Sequence, residues 1–407
     1  MDDQSPKPIR CKAAVCRAAG EPLTVEEIVV DPPKAYEIRI KIVCTSLCHS
    51  DITFWRGKFS TSYPNTPLGH EAYGVVESLG EHVEGFAAGD TVVPTFLSQC
   101  DRCPGCASEH NNLCSTVPFV FGPGMRRDGT TRFHDSQGNP LHDLVAVSSF
   151  SEYTVVDVTQ VIKIDPAVPP KLACLLSCGA STGDEPSRCS IEFTSTDRKG
   201  LTDTEIDAGV GAAWKVAKVE PGSSVVIFGL GSIGLAVAQG AKMCGASKII
   251  GVDLNPDKEE VGKSFGVTHF VNPSQLGNSS VSEEIGKLTG GGADYGFECI
   301  GVSSVMTDAF TSTKPGKGKT IILGFEKNNE PISLPSLDLL SGKCVMGSYF
   351  GGMKPKTDVP ILAQKCMNKE LELEGLVTHE VGLQEINQAF NLLLQGKSLR
   401  CLIWMDK

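Results

Sequence analysis

Val225-Val-Ile-Phe-Gly-Leu-Gly-Ser-Ile-Gly234 is the stretch that decides the fold of this 407-residue chain. Val225 to Phe228 is a short apolar run that reads as a buried strand, and Ile233 to Cys244 reads as a helix that should stop at Gly245. Between them Gly229, Gly231 and Gly234, with Ser232 and Ile233, form a G-x-G-x-x-G turn. Its backbone can approach a pyrophosphate, whose charge is favoured at the helix N-terminus. A second strand, Lys248 to Val252, leads to Asp253, nineteen residues after Gly234. A carboxylate there can accept both ribose hydroxyls and repels a 2'-phosphate. No arginine follows closely, so NAD is expected rather than NADP, with Lys258 flanking the adenosine ribose.

Outward from this motif the chain has three styles. From about Gly209 to Tyr349, runs such as Thr320 to Leu323 alternate with helical stretches, the pattern of a doubly wound parallel sheet. From Lys12 to about Ser177 the chain is rich in Val, Ile and Thr broken by Gly, Pro and Asp. Ile38 to Cys44, Gly74 to Ser78 and Thr91 to Pro94 read there as strands of a β-rich domain. The tail, Phe350 to Lys407, carries helical patterns at Leu362 to Met367 and Leu383 to Leu394. It ends in a strand, Cys401 to Trp404, expected to return to the first domain. The division is therefore residues 1–183 with 350–407, then 210–349, with 184–209 as an insertion.

An apolar fraction of 41% can fill two cores, and a net charge of -11 argues against nucleic acid or an anionic membrane as partner. No apolar run approaches the roughly 20 residues that span a bilayer. Met1 to Cys16 lacks a basic stretch followed by an apolar one, so a cytoplasmic location is expected. Sixteen cysteines are many for such a protein. Cys11, Cys16, Cys44, Cys244, Cys299, Cys344, Cys366 and Cys401 read as small buried residues.

Cys100, Cys103, Cys106 and Cys114 are different. Four thiolates fall within fifteen residues of polar, turn-rich chain, which matches a closed structural zinc site. Further ligand types are scattered: Cys48-His-Ser-Asp51, Gly69-His-Glu71 and Cys178-Gly179. Two thiolates and an imidazole would leave one tetrahedral position open, as catalytic zinc requires.

In their order along the chain these motifs, with Cys174-x3-Cys178-Gly-x-Ser-Thr-Gly183, resemble the zinc-dependent medium-chain alcohol dehydrogenases, the plant-like branch most closely. The resemblance implies a GroES-like catalytic domain with a Rossmann NAD domain, two zinc ions per subunit, and a homodimer paired through a sheet edge at Thr320 to Phe325. It implies Cys48, His70 and Cys178 as catalytic zinc ligands, Cys174 as a nearby non-ligand, and Asp51 and Glu71 behind the ligands. Zinc would lower the pKa of a bound alcohol, which gives hydride to the nicotinamide while Ser50 takes the hydroxyl proton. Relatives continue the relay to a histidine; Thr53 stands there and is no base near neutral pH, so the proton is expected to leave to water. His49 and Arg400 match pyrophosphate contacts, Thr182 a nicotinamide contact, and Phe96 and Leu144 an apolar pocket for a small or medium primary alcohol or aldehyde. Pro118 stands where glutathione-dependent formaldehyde dehydrogenases carry an arginine, so that activity is not expected. The loop from Phe121 to Pro140, with Arg126 and Arg127, reads as a solvated insertion.

Joining Gly183 to Val210 would restore one family helix, but 26 residues intervene. They are polar, contain Pro186 and Gly200, and read as irregular. A second function therefore stands beside the enzyme: an impaired paralogue that keeps the fold, the structural zinc and NAD binding.

Overall fold

In the computed structural model, residues 6–58, 63–120, 122–177, 206–324 and 330–407 are described. They belong to two units: Met1–Cys178 with Lys354–Met367 and Leu373–Lys407, and Gly179–Met353 with Asn368–Glu372.

The first unit opens with β1 (Ile9–Cys16), β2 (Thr24–Val30), β3 (Glu37–Leu47), α1 (His49–Trp55), β4 (Thr66–Pro67), β5 (Glu71–Leu79), β6 (Thr91–Pro94) and α2 (Pro104–Ala107). There follow β7 (Phe133–Asp135), β8 (Pro140–Leu141), β9 (Tyr153–Asp157), β10 (Val161–Lys163) and α3 (Pro170–Leu175). One antiparallel sheet runs β4-β1-β2-β7-β8; the second contains β10-β6-β5-β3, with β9 also on β3. Alternation puts Ile38, Ile40 and Ile42 of β3 in one core with Val76, Val92, Val156 and Val161. Cys11, Ala13 and Val15 of β1 enter another with Ile28, Val30 and Phe133. β3 and β5 pair antiparallel with Ser46 opposite Glu71. The register therefore sets the end of β3, and Cys48 just beyond it, beside the start of β5 and His70 just before it.

The Phe121 to Pro140 loop differs from expectation. Phe121 lies outside the described residues, but Arg132 is buried with its guanidinium bonded to Glu37 and Asp128, and Phe133 is core. A buried ion-pair network and one aromatic anchor hold a segment that composition alone reads as solvated.

The second unit contains α4 (Ile206–Gly211), which continues as a π-helical turn (Ala212–Ala217), then β11 (Ser224–Phe228), α5 (Ser232–Met243), β12 (Lys248–Val252), α6 (Lys258–Ser264) and β13 (His269–Val271). α7 (Val281–Thr289), β14 (Tyr295–Glu298), α8 (Ser303–Thr311), β15 (Lys319–Ile322), α9 (Ser336–Leu340) and β16 (Cys344–Gly347) complete it. The six strands are all parallel, in the order β13-β12-β11-β14-β15-β16. Every residue of central β11 is buried, as a strand covered on both faces requires.

Two expectations are corrected here. The strand around Thr320 is not the sheet edge, because β16 pairs along its far side; Phe325 lies outside the described residues. Ile206 to Gly209, read as the end of an irregular insertion, begin α4, and Gly209 packs so closely that a Cβ would lie 2.5 Å from Ile233 O. Tertiary packing overrides the weak helix propensity of a glycine-rich run. Residues 184–205 lie outside the described residues.

The tail adds α10 (Pro355–Met367), β17 (Val377–Gly382), α11 (Ile386–Leu394) and β18 (Arg400–Trp404). β18 pairs antiparallel with β3, Cys401 opposite Leu47, and parallel with β17, so the closing strand joins the first unit's second sheet. Cys244 and Cys344 are half-buried, whereas Cys11, Cys16, Cys44, Cys299, Cys366 and Cys401 are buried. No helix among the described residues is long and apolar enough to cross a membrane.

Candidate functional site

Cys48 is the extended residue between β3 and α1, and the Asp51 carboxylate closes the first turn of that helix by accepting Cys48 N–H at 3.0 Å. The other Asp51 oxygen accepts Gly69 N–H at 3.2 Å and lies 3.0 Å from His70 Nδ1. Asp51 is fully buried; burial raises its pKa and His70 pulls the other way. An acceptor at Nδ1 fixes the tautomer and leaves Nε2 to coordinate. That nitrogen lies 3.1 Å from Ser50 Oγ, which also donates to Cys48 Sγ at 3.1 Å.

Cys48 Sγ, a His70 nitrogen and a Glu71 carboxylate oxygen lie within 4.8 Å of one another. Soft sulfur, imidazole and carboxylate are zinc's own ligand types, so this cluster fits a zinc ion. The Glu71 carboxylate, expected behind the ligands, lies close to both Cys48 and His70. Burial lifts its pKa to about 7 against the opposing pull of Arg400. Arg400 is wholly buried, 3.6 Å from Glu71 Oε1. Cys174 Sγ points to the carbonyls of Cys44 and Glu71, and burial holds its pKa well above the ordinary range. Cys178 and Thr182 lie outside the described residues. Thr53 donates its hydroxyl to His49 O at 3.0 Å, and His49 is half-buried in the first turn of α1.

The four knuckle sulfurs also lie within 4.8 Å of one another. Cys100 and Cys106 are 4.0 Å apart and Cys103 and Cys114 3.9 Å, close to the edge of about 3.8 Å that a tetrahedron of 2.3 Å zinc–sulfur bonds has. A disulfide needs about 2 Å. Cys106 N–H and Ser115 N–H both point at Cys103 Sγ from 3.3 Å. Hydrogen bonding from Ser115 and then Cys106 brings the Cys103 pKa down to about 4, whereas burial pushes Cys106 up to about 12 and raises Cys114.

Phe96 and Leu144 are buried, and the Phe96 ring meets Phe119 edge-on at 5.1 Å. Arg126 sits over Phe119 at 5.5 Å, and Arg127 pairs with Asp157.

In the second unit Gly229 has φ +90, and a Cβ on Gly234 would lie 1.8 Å from Gly229 O. Only glycine fits either place. Gly231 stands at the N-terminus of α5 with no side-chain cap, the end of a helix at which an anion is favoured. Ser232 and Ile233 are buried. Asp253 accepts Leu230 N–H at 2.8 Å and Asn255 N–H at 2.9 Å, which fixes it beside the turn, and Lys258 begins α6. These features fit a dinucleotide. The sequence reading missed Glu298; an acid closing the apolar strand Tyr295–Glu298 was the signal.

The family model described as Alcohol dehydrogenase GroES-like domain matches residues 34–166, and that described as Zinc-binding dehydrogenase matches residues 232–370. Alcohol dehydrogenase-like 2 of Arabidopsis thaliana is 54% identical over 405 residues, 98% of each chain. Alcohol dehydrogenase 1 of Petunia hybrida is 43% identical, covering 98% of this chain and 97% of its own. An alcohol dehydrogenase zinc-binding domain protein from Burkholderia ambifaria superposes with a TM-score of 0.84 at 30% identity, over 98% of this chain and 99% of that one. Benzyl alcohol dehydrogenase from Acinetobacter calcoaceticus does so with a TM-score of 0.81 at 27% identity, over 97% and 99%.

Proposed function

This chain belongs to the zinc-dependent medium-chain alcohol dehydrogenase family, and from that premise we propose that it oxidises small or medium primary alcohols to aldehydes, and reduces them back, with NAD. The observation that carries the reading is the Asp51 carboxylate, which ties Cys48 N–H, Gly69 N–H and His70 Nδ1 into one preset donor cluster.

Cys48, His70 and Cys178 would hold the catalytic zinc, and Cys100, Cys103, Cys106 and Cys114 the structural one. The catalytic ion supplies a Lewis acid for the substrate oxygen, and NAD a hydride acceptor. Ser50, whose hydroxyl lies against Cys48 and His70, accepts the alcohol proton. Thr53 spends its hydroxyl proton on a helix carbonyl and does not extend the relay as a base, so the proton passes to water. His49 and Arg400 would contact the pyrophosphate, Thr182 the nicotinamide, and Phe96 and Leu144 the substrate. Preference for NAD rests on Asp253, whose charge opposes a 2'-phosphate.

A homodimer is supported by the open edge of β16 and by α9, where Leu337 and Leu340 are 76% and 83% exposed. A cytoplasmic location is supported by the free thiols of the described cysteines. The likenesses do not favour the impaired-paralogue reading. The deciding assay is NADH formation with a panel of primary alcohols by the zinc-loaded protein, repeated with NADP; no turnover on any member would overturn the reading.

A further inference from the structure

The strand order of the second unit reverses at its centre: the chain leaves β11 toward β12 on one side and later returns to β14 on the other. At such a reversal the turns that follow the two central strands part, and the crevice between them takes the ligand. One wall is the turn opened by Gly229. The other is Cys299-Ile300-Gly301, directly after β14. The walls touch at their base, where a Cβ on Gly229 would lie 2.7 Å from Ile300 Cγ1.

The second wall hangs on Glu298. Its side chain is wholly buried, and Oε1 accepts Ile300 N–H at 2.9 Å and Gly301 N–H at 2.8 Å. Its main-chain carbonyl accepts Leu323 N–H at 2.9 Å and Gly324 N–H at 3.0 Å, so the same residue grips the turn after β15. The fit is close on that side too: a Cβ on Gly324 would lie 2.0 Å from Gly301 N and 2.6 Å from Glu298 Oε2. The groups that steady the carboxylate are backbone N–H donors rather than a cation. A buried carboxylate held this way costs more to desolvate than an apolar residue in the same strand would, which argues that its hydrogen bonds, not its packing, are what the site uses.

We propose that Glu298 is a positioning residue for the dinucleotide, holding Ile300 against Gly229 and Gly301 against Gly324 so that the far wall of the crevice is set before the cofactor arrives. The inference rests on the NAD-binding reading above.

The test is Glu298→Gln in the full-length, zinc-loaded protein, with NADH binding followed by fluorescence and steady-state kinetics beside it. The amide keeps the size and can still set one oxygen toward Ile300 N–H and Gly301 N–H, but as a neutral acceptor. Replacing two hydrogen bonds to a charged acceptor by bonds to a neutral one should raise the NADH Kd and the KM for NAD about tenfold, while kcat at saturating NAD falls far less and zinc content stays close to that of the parent. A folded variant with unchanged NADH Kd overturns the proposal, as does a loss shared equally by kcat, KM for alcohol and Tm. Where Glu298→Gln does not fold, Ile300→Ala decides, because it removes the side chain that meets Gly229 from a half-buried position. A raised Kd supports the proposal and an unchanged one refutes it. Failure of the parent protein to bind NADH or NADPH would instead sink the underlying functional reading.

Discussion

His70 Nδ1 lies 3.0 Å from Asp51 Oδ1 with both side chains sealed from solvent. The pair joins the first turn of α1 to the residues entering β5, so the orientation of the nitrogen proposed to bind zinc depends on a carboxylate nineteen positions earlier in the chain. Asp51→Asn preserves volume but weakens the tautomer lock. Affinity for the catalytic zinc should fall roughly 10–100-fold, with turnover falling alongside and the knuckle zinc retained. Metal analysis after graded chelator challenge reads this, and two equally held zinc ions would refute it.

The two cysteine clusters should respond differently to the same substitution. Cys103 accepts two backbone N–H groups inside a closed four-sulfur set, so Cys103→Ser should lose one metal and destabilise the first unit. Metal binding at such a site is coupled to folding. Cys48→Ser should abolish turnover in a protein that still folds. An active Cys48→Ser enzyme would remove the catalytic assignment.

Asp253 holds Leu230 N–H and Asn255 N–H while offering its charge at the end of β12. Asp253→Ser removes the repulsion toward a 2'-phosphate and the acceptor for the ribose diol together. The ratio of kcat/KM for NAD over NADP should narrow, mainly through loss with NAD. A native preference for NADP would contradict the reading.

Much of this was legible from sequence because the signals are local. The knuckle is a spacing, and Val225 to Gly234 is a strand, a turn and a helix in ten residues. What escaped depends on distant packing. Glu71 reads as a residue behind the ligands, but its buried partner Arg400, 3.6 Å from Oε1, comes from the far end of the chain and is not visible in the sequence. Glu298 reads as a strand terminus, because its acceptor role appears only once three turns converge. The edge strand β16 is only four residues long, Cys344-Val-Met-Gly347, and partly exposed, too short a run to stand out from the turns around it.

Glu298 also gives a pH signature. Burial raises its pKa from 4.5 to about 7, with backbone N–H groups opposing. An acid whose folded pKa exceeds its unfolded one binds the proton more tightly when native. Its stabilising contribution is therefore full below about pH 4.5 and is lost as pH rises through about 7, by roughly 3 kcal/mol taken alone. Glu298→Gln should flatten that part of the stability profile between pH 5 and 7. Denaturant unfolding of cofactor-free protein at several pH values reads the difference, and parallel profiles would contradict the assignment.

Residues 184–209, expected from the sequence to be an insertion, lend themselves to a deletion test of that expectation. α4 packs so tightly on α5 that a Cβ on Gly209 would lie 2.5 Å from Ile233 O and 2.7 Å from Ala236 Cβ, and one on Gly240 would lie 2.9 Å from Val210 Cα. Deleting Asp184 to Gly209 joins Gly183 to Val210, so a glycine again precedes Val210 and the close helix contact can re-form. If residues 184–205 are irregular, as their sequence leads one to expect, closing a segment of that length costs roughly 3 kcal/mol in chain entropy, which the deletion would remove. We expect the shortened protein to gain several-fold or more in kcat/KM and a few degrees in Tm. If Gly183 takes the place of Gly209 there, Gly183→Ala in that background should reverse the gain in Tm, since a Cβ at Gly209 would lie 2.5 Å from Ile233 O. If the deletion instead lowers activity while the protein stays folded, the segment contributes to substrate binding or closure, and its polar sequence must be read as part of the working site.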